Sequence, residues 1–353
     1  MADHDSSHGR WRDALAPVRA MVLGLLLLVS GPLAAHEAKG APVADACPVP
    51  SPAGKFEPVS VKLQARKLTD RVWFVQGMTG MVSPVNQGFN SNAGFVVTDD
   101  GVVVFDALGT PSLGEALFAE IRKVTDKPVR RVIISHYHSD HFYGAQPFAE
   151  AGIEVWAQNK VLEYLRTEAP AARLEERRSS LFPWVDERAR VTPPDLTFDR
   201  ELVFRLGGMT FHLMHVGPAH TPEDIMMYVE EEDALFAGDL VFAGRLPWVG
   251  TADSRAWLAA LDELAKREAR VVITGHGPAS TDAMADLNMT REYLRFLRQE
   301  MGKAVADLLP FDEAYEQVDW SAYEKLPTFD EGNRRNAYNT YLRMEREALG
   351  GGD

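Results

Sequence analysis

The segment His136-Tyr137-His138-Ser139-Asp140-His141 places three imidazoles and a carboxylate within six residues. It follows the apolar run Arg131-Val132-Ile133-Ile134-Ser135, which reads as a buried strand. In an extended loop, residues two apart point the same way, so His136 and His138 can grip one ion while a turn aims Asp140 and His141 at a neighbouring point. A lone histidine is ordinarily a packed or surface residue. Four donors this close are different, because burying them together without a cation strands polar nitrogens beside a carboxylate at a desolvation cost. The spacing suits two adjacent metals.

Two more histidines and one aspartate stand in matching contexts, each just past a β run and beside Gly or Pro: Gly217-Pro218-Ala219-His220-Thr221, Ala237-Gly238-Asp239-Leu240 and Thr274-Gly275-His276-Gly277. Loops at strand ends are where such ligands converge. Around them the pattern predicts short strands at Val61–Lys67, Arg71–Gln76, Gly94–Thr98 and Val102–Asp106, a helix near Leu113–Val124, and a strand at Ile153–Ala157. The second half repeats the theme, with strands at Glu201–Leu206, Thr210–His215, Ile225–Glu230, Ala234–Ala237 and Val271–Thr274 and a helix near Ser254–Arg267. Mixed strands and helices in two similar halves imply a layered α/β sandwich. Helical segments follow at Ala283–Leu308, Asp312–Val318 and Arg334–Leu349.

A chain of 353 residues with 46% hydrophobic and 25% charged content can bury a full core, which excludes collagen-like, coiled-coil and wholly disordered readings. Its 37 Lys and Arg against 51 Asp and Glu give a net charge of −14, which repels a nucleic-acid backbone. The single cysteine, Cys47, has no disulfide partner within the chain. At the amino end, Arg10, Arg12 and Arg19 precede the apolar run Met21–Val29 and the small residues up to Ala35, the three-part pattern of a secretory signal peptide. The expected organisation is therefore a signal peptide over 1–35, a Pro- and Ala-rich linker over 36–60, a catalytic domain over 61–280 and a C-terminal helical extension over 281–353.

The ordered set His136-x-His138-x-Asp140-His141, His220, Asp239 and His276 closely resembles the metallo-β-lactamase superfamily, across roughly Val61 to Ser280. That resemblance implies a four-layer αββα sandwich. It implies that His136, His138 and His220 hold a first metal, that Asp140, His141 and His276 hold a second, and that Asp239 bridges them. Two zinc ions are the implied cofactor, with iron or manganese as alternatives. The nucleophile it implies is a metal-bound hydroxide, oriented by Asp140, which also takes its proton. Asp106 resembles the family's aspartate that supports a ligand histidine, and the loop Met78–Phe89 resembles the one that roofs such sites. His212 and His215 match no ligand position and are expected to pack on or beside the sheet, while Trp184, Trp248 and Tyr143 could line the mouth or fill the core.

Common zinc β-lactamases often carry a bridging cysteine followed three residues later by a lysine for the drug's carboxylate; this chain has Asp239 and Phe242 there. That departure argues against ordinary lactamase activity and resembles glyoxalase-like thioesterases, lactonases and general hydrolases. The segment Asn333-Arg334-Arg335-Asn336-Ala337-Tyr338 resembles a group found near sulfur-oxidation and quinoprotein systems. The implied protein is a periplasmic or secreted zinc-dependent hydrolase of a small ester, thioester, lactone or lactam-type molecule, with no nucleic-acid partner and no stable membrane insertion after signal cleavage. Two alternatives remain. A mononuclear iron dioxygenase acting on persulfides keeps nearly the same ligands and uses the first site, and a non-catalytic metal-binding accessory of a periplasmic oxidation pathway needs no turnover. Spacing leaves the oligomeric state open.

Overall fold

Val102-Val103-Val104-Phe105 is apolar at every position, a pattern that suits a strand covered on both faces. The computed structural model describes residues 54–351, apart from 268 and 281, so the signal peptide, most of the linker and Cys47 lie outside the described residues. The first half of the described chain runs β1 (Ala65–Lys67), β2 (Val72–Val75), β3 (Ala93–Val97), β4 (Val102–Phe105), α1 (Pro111–Val124), β5 (Val129–Ile133), α2 (Ser139–Phe142), α3 (Ala145–Glu150), β6 (Glu154–Gln158), α4 (Val161–Leu165), α5 (Ala169–Ser180) and β7 (Leu196–Phe198). The second half runs β8 (Glu201–Leu206), β9 (Met209–His215), β10 (Ile225–Val229), β11 (Ala234–Phe242), α6 (Ser254–Ala265), β12 (Val271–His276), α7 (Ala283–Ala306), α8 (Phe311–Gln317) and α9 (Phe329–Ala348).

Strands β1 to β7 form one sheet in chain order, antiparallel as far as β4 and parallel beyond it. A second sheet has the order β12-β11-β10-β9-β8, with β11 and β12 its parallel pair. Alternation along each strand sends one set of side chains between the sheets and the other toward helices. On β4, Val103 and Phe105 join Phe211, Met227 and Phe236 in the inner core, while Val102 and Val104 pack with Leu113 and Leu117 of α1. On β11, Leu235 and Ala237 turn outward to Trp257 of α6 and Leu294 of α7. The result is the four-layer αββα sandwich, with α7 to α9 extending the second helical layer. Among the described residues no helix is long and apolar enough to cross a membrane.

The helices start where their caps dictate. Thr110 Oγ1 accepts from Leu113 N at 3.0 Å ahead of Pro111, and Asp253 and Asp282 cap α6 and α7 in the same way. Several expectations need correction. Ser139–Phe142 is a helical turn and not part of an extended loop, and β11 continues five residues past Ala237, so Asp239 lies within a strand. Register shifts on either side of Gly238 bend β11 there. Helix α5 escapes the apolar pattern because Pro170 and Leu174 are its only buried side chains among polar neighbours.

The two sheets are stitched together at one end. Asn92 accepts from Gly77 N at 2.9 Å and donates to the carbonyls of Thr274 and Gly277 at 2.8 Å, while Ile225 N donates to Ser135 O at 3.0 Å. At mid-core the Phe105 and Phe236 rings meet at 5.3 Å, and Gly94 lets Phe236 lie against β3, since a Cβ there would fall 2.5 Å from its ring. Phe236→Ala should therefore cost about 3–5 kcal/mol in denaturant unfolding; a loss below about 1 kcal/mol would show that the inter-sheet core is not the main support of the sandwich.

Candidate metal centre

The stitched end of the sandwich collects the polar side chains. His136 and His138 leave β5 before α2, Asp140 and His141 sit on α2, His220 follows β9, Asp239 lies on β11, and His276 ends β12. These seven residues fall into two groups able to hold a metal, His136, His138, His220 and Asp239, and Asp140, His141 and His276, with the ligand atoms of each within 4.8 Å of one another. All seven expected ligand positions thus converge.

Asp239 stands between the groups. Its Oδ2 is 3.9 Å from His136 Nε2 and 3.4 Å from His220 Nε2, and 3.3 Å from His276 Nε2 on the other side; its Oδ1 is 3.3 Å from His141 Nε2. The backbone makes room for it. Gly238 adopts a left-handed φ of +53° that few side chains accept, and a Cβ on Gly275 would lie 1.9 Å from Asp239 Oδ1.

Each imidazole is oriented by what its outer nitrogen meets. Ser135 Oγ donates to Asp106 Oδ2 at 2.8 Å, so it accepts from His136 Nδ1 at 2.9 Å. His141 Nδ1 donates to the same Asp106 oxygen at 2.9 Å, and His276 Nδ1 donates to Asn90 O at 2.7 Å. Those bonds turn the Nε2 atoms of His136, His141 and His276 inward. Inside, His138 Nδ1 lies 3.1 Å from His136 Nε2 and 2.9 Å from His220 Nε2, three nitrogens converging on one point.

The electrostatics suit a cation. Burial is the largest influence on His136, His138 and His220 and lowers each, His220 to about 3, which keeps the lone pairs free. At His141 burial opposes the charge, but Asp239, Asp106 and Asp140 raise it well above the ordinary imidazole range. For Asp140, burial raises the carboxyl and His141 and His276 override it, holding it at about 2. Asp239 is likewise held well below the usual carboxylate range against burial by His276 and His141. Asp239 Oδ1 and His141 Nε2 are buried with no hydrogen-bond partner, as atoms reserved for an ion would be. The donor set of imidazole and carboxylate fits zinc and other divalent transition metals.

Several supporting residues carry no motif. Asn90 Nδ2 donates to Asp140 Oδ2 at 2.8 Å, and Ser91 Oγ donates to the Asp140 carbonyl. Arg245 is buried behind His276, its Nη1 3.4 Å from His276 Nδ1 and donating to Gly80 O of the 78–89 loop at 3.2 Å. Its Nε has no partner, and among the described residues it forms no ion pair within 4 Å. Burial lowers its pKa while Asp239, Asp140 and Glu331 attract it from farther away. A lone arginine inside the apolar run Val241–Trp248, six residues after Asp239, was the signal to follow. Phe242 stacks on His276, with ring centroids 5.3 Å apart and planes within 4°. His212 and His215 face Glu230 and the Pro222 carbonyl, away from the centre. Tyr143 is buried in the helix-side core, and Trp248 lies under the Arg335 guanidinium at 5.2 Å.

The family model of the metallo-beta-lactamase superfamily matches residues 86–276. The chain is 26% identical over 280 residues to a linear primary-alkylsulfatase from a Pseudomonas species, covering 69% of this chain and 51% of that protein. It is 24% identical over 193 residues to metallo-beta-lactamase IND-1 of Chryseobacterium indologenes, covering 53% of this chain and 72% of that protein. Among solved structures, a metallo-beta-lactamase from Pontibacter korlensis superposes with a TM-score of 0.52 at 24% identity, covering 66% of this chain and 99% of the other. A stereoselective inverting sec-alkylsulfatase from a Pseudomonas species superposes with a TM-score of 0.61 at 19% identity, covering 80% and 50%. The chain spans about half the length of the two alkylsulfatases.

Asp106 orients His141 directly and His136 through Ser135, so Asp106→Ala should weaken divalent-metal binding about 10–100-fold in competition with a chelator. His212→Ala should leave it unchanged. Equal affinities for the Asp106 variant and the parent would remove Asp106 from the support of the centre.

Proposed function

The chain belongs to the metallo-β-lactamase superfamily, and from that premise we propose that it is an exported zinc-dependent hydrolase of a small ester, thioester, lactone or lactam-type substrate that carries an anionic group. The observation that carries the reading is the buried Asp239 carboxylate shared between two ligand groups. Export rests on the amino-terminal pattern over residues 1–35. Two divalent metals bound there would supply Lewis acidity for hydrolysis.

The protein's own residues do the rest. His136, His138 and His220 would hold one ion, Asp140, His141 and His276 the other, and Asp239 both. Asp140 stays ionised, and with Oδ2 held by Asn90 its Oδ1 is left to orient the attacking water and take its proton. Phe242 against His276 and Trp257 against His220 keep solvent from the outer faces of the ligands. With Asp140 and Asp239 committed to the centre, Arg245 is a buried cation with no carboxylate at ion-pair distance among the described residues. An anionic group on the substrate supplies the missing partner. One relative's name, linear primary-alkylsulfatase, supports including a sulfate ester among the substrates tried.

Elemental analysis of the signal-cleaved protein should give near two zinc per chain, with turnover in a panel of esters, thioesters, lactones, lactams and an alkyl sulfate. One iron per chain with oxygen uptake on a persulfide would replace the hydrolase by a dioxygenase, and full metal loading without any turnover would leave a binding accessory. Within the hydrolase reading, Asp140→Asn should lower kcat at least about 10²-fold, whereas His212→Ala keeps most activity. Arg245→Gln should raise KM about 10–100-fold for anionic substrates and leave neutral ones unaffected; equal effects on both would exclude Arg245 from anion recognition.

A further inference from the structure

After β11 ends at Phe242, residues 243–252 form the loop that carries Arg245 into α6. Ala243 N of that loop donates to the His276 carbonyl at 3.2 Å, and the strand end and the rest of the loop are met by the C-terminal region. Thr290 Oγ1 on α7 accepts from Phe242 N at 3.2 Å, and Leu246 N donates to Pro327 O at 3.0 Å. Asn336 on α9, fully buried, accepts from Val249 N at 2.9 Å and Gly250 N at 3.4 Å, and its Nδ2 donates to Pro247 O at 2.8 Å. Nδ2 also donates to Tyr293 Oη at 3.0 Å; Tyr293 donates to Asn333 Oδ1 at 2.8 Å, and Asn333 Nδ2 donates to Tyr315 Oη at 3.0 Å. A hydrogen-bond chain thus runs through α8, α9 and α7 and terminates on the loop that holds Arg245.

Apolar burial does not explain this chain of bonds. Leu294 and Leu297 of α7 already pack the helices onto the outer face of the second sheet, and an apolar side chain at Asn333 or Asn336 would bury as much surface. Buried amides satisfied on both oxygen and nitrogen fix a geometry instead, because any displacement strands several polar groups in a dry interior. We infer that the C-terminal helices are the positioning element of the anion site, with Asn336 fixing the 243–252 loop so that the Arg245 guanidinium stands at the metal centre. This rests on the reading of Arg245 given above, and Asn336 acts through Arg245 without touching substrate.

The test titrates the full, zinc-loaded chain by calorimetry with 3-mercaptopropionate and with 1-propanethiol. Both thiolates can ligate the metals, and only the first offers a carboxylate. The parent protein should favour the carboxylate thiol about tenfold or more, and Arg245→Gln should abolish that preference. Asn336→Ala should cut it to within about threefold while propanethiol affinity and zinc content hold, and the double variant should bind 3-mercaptopropionate no more weakly than Arg245→Gln alone. If Asn336→Ala does not fold, Asn336→Asp, which keeps the acceptor for Val249 N and sets a carboxylate oxygen against Pro247 O, should show the same selective loss. An Asn336 variant that keeps the full preference, or that weakens both thiols equally, overturns the inference. Unchanged preference in Arg245→Gln overturns it through the anion reading, and the turnover panel then decides separately whether the hydrolase reading stands.

Discussion

The structure turns on one carboxylate. Asp239 is buried with both oxygens facing imidazoles from two groups, a placement tolerable only because four histidine nitrogens lie within 3.9 Å. Bringing those groups to one carboxylate requires β5, β11 and β12, from two different sheets, to end at the same place. The links from Asn92 to the β12 end and from Ile225 to Ser135 hold them there. Gly238 and Gly275 are the local price, one for the bend in β11 and the other for the close approach of the carboxylate. The sandwich is in this sense a frame for aligning strand ends.

Around that carboxylate, orientation comes from a second ring of contacts. Asp106 is the most connected member, accepting from Ser135 N at 2.7 Å, from Ser135 Oγ and from His141 Nδ1. Its own backbone is held at a φ of +61°, an uncommon conformation for a residue with a side chain, at the turn leaving β4. Such strain persists where surrounding bonds over-determine it, and here three donors do so. The consequence is a fixed orientation for both rings: His136, kept neutral by burial, turns an Nε2 lone pair inward, while His141, whose charge the carboxylates favour, would give up its inner proton to an arriving cation. Preorganisation of this kind lowers the cost of assembling a metal site.

Much of this was legible in the chain because it is local. His136, His138, Asp140 and His141 advertise themselves by proximity, and the Gly and Pro beside His220, Asp239 and His276 mark strand ends. The alternating and fully apolar runs marked the strands of both sheets within a few residues, except β7, whose three residues Leu196–Phe198 are too short for a pattern. What escaped depends on tertiary placement. Asp239 lies inside a strand because β11 can bulge at Gly238 and continue, which local punctuation cannot distinguish from a turn. Asn90, Ser91 and Asn92 read as ordinary polar residues until β3 is set against β12. Helix α5, with its charged faces and few buried side chains, has no periodic stripe to find.

Arg245 shows a further limit, and it also connects the sandwich to its extension. A cation three residues after Asp239 would stand at the end of β11, where the backbone is set in register against His276 of β12. Phe242 occupies that position and stacks on His276, and the cation comes three residues later, beyond the end of the strand. A loop has no ladder, so a buried guanidinium there needs its backbone fixed by something else. Ala243 N donates to the His276 carbonyl of β12, and beyond it the loop's backbone meets the Pro327 carbonyl and Asn336, while Thr290 holds Phe242 at the strand end; these three belong to the region after β12. On the proposed reading, moving the cation from sheet to loop and adding the helices are two parts of one arrangement: the strand ends align the metal ligands, and the helices align the loop that meets the substrate's charge.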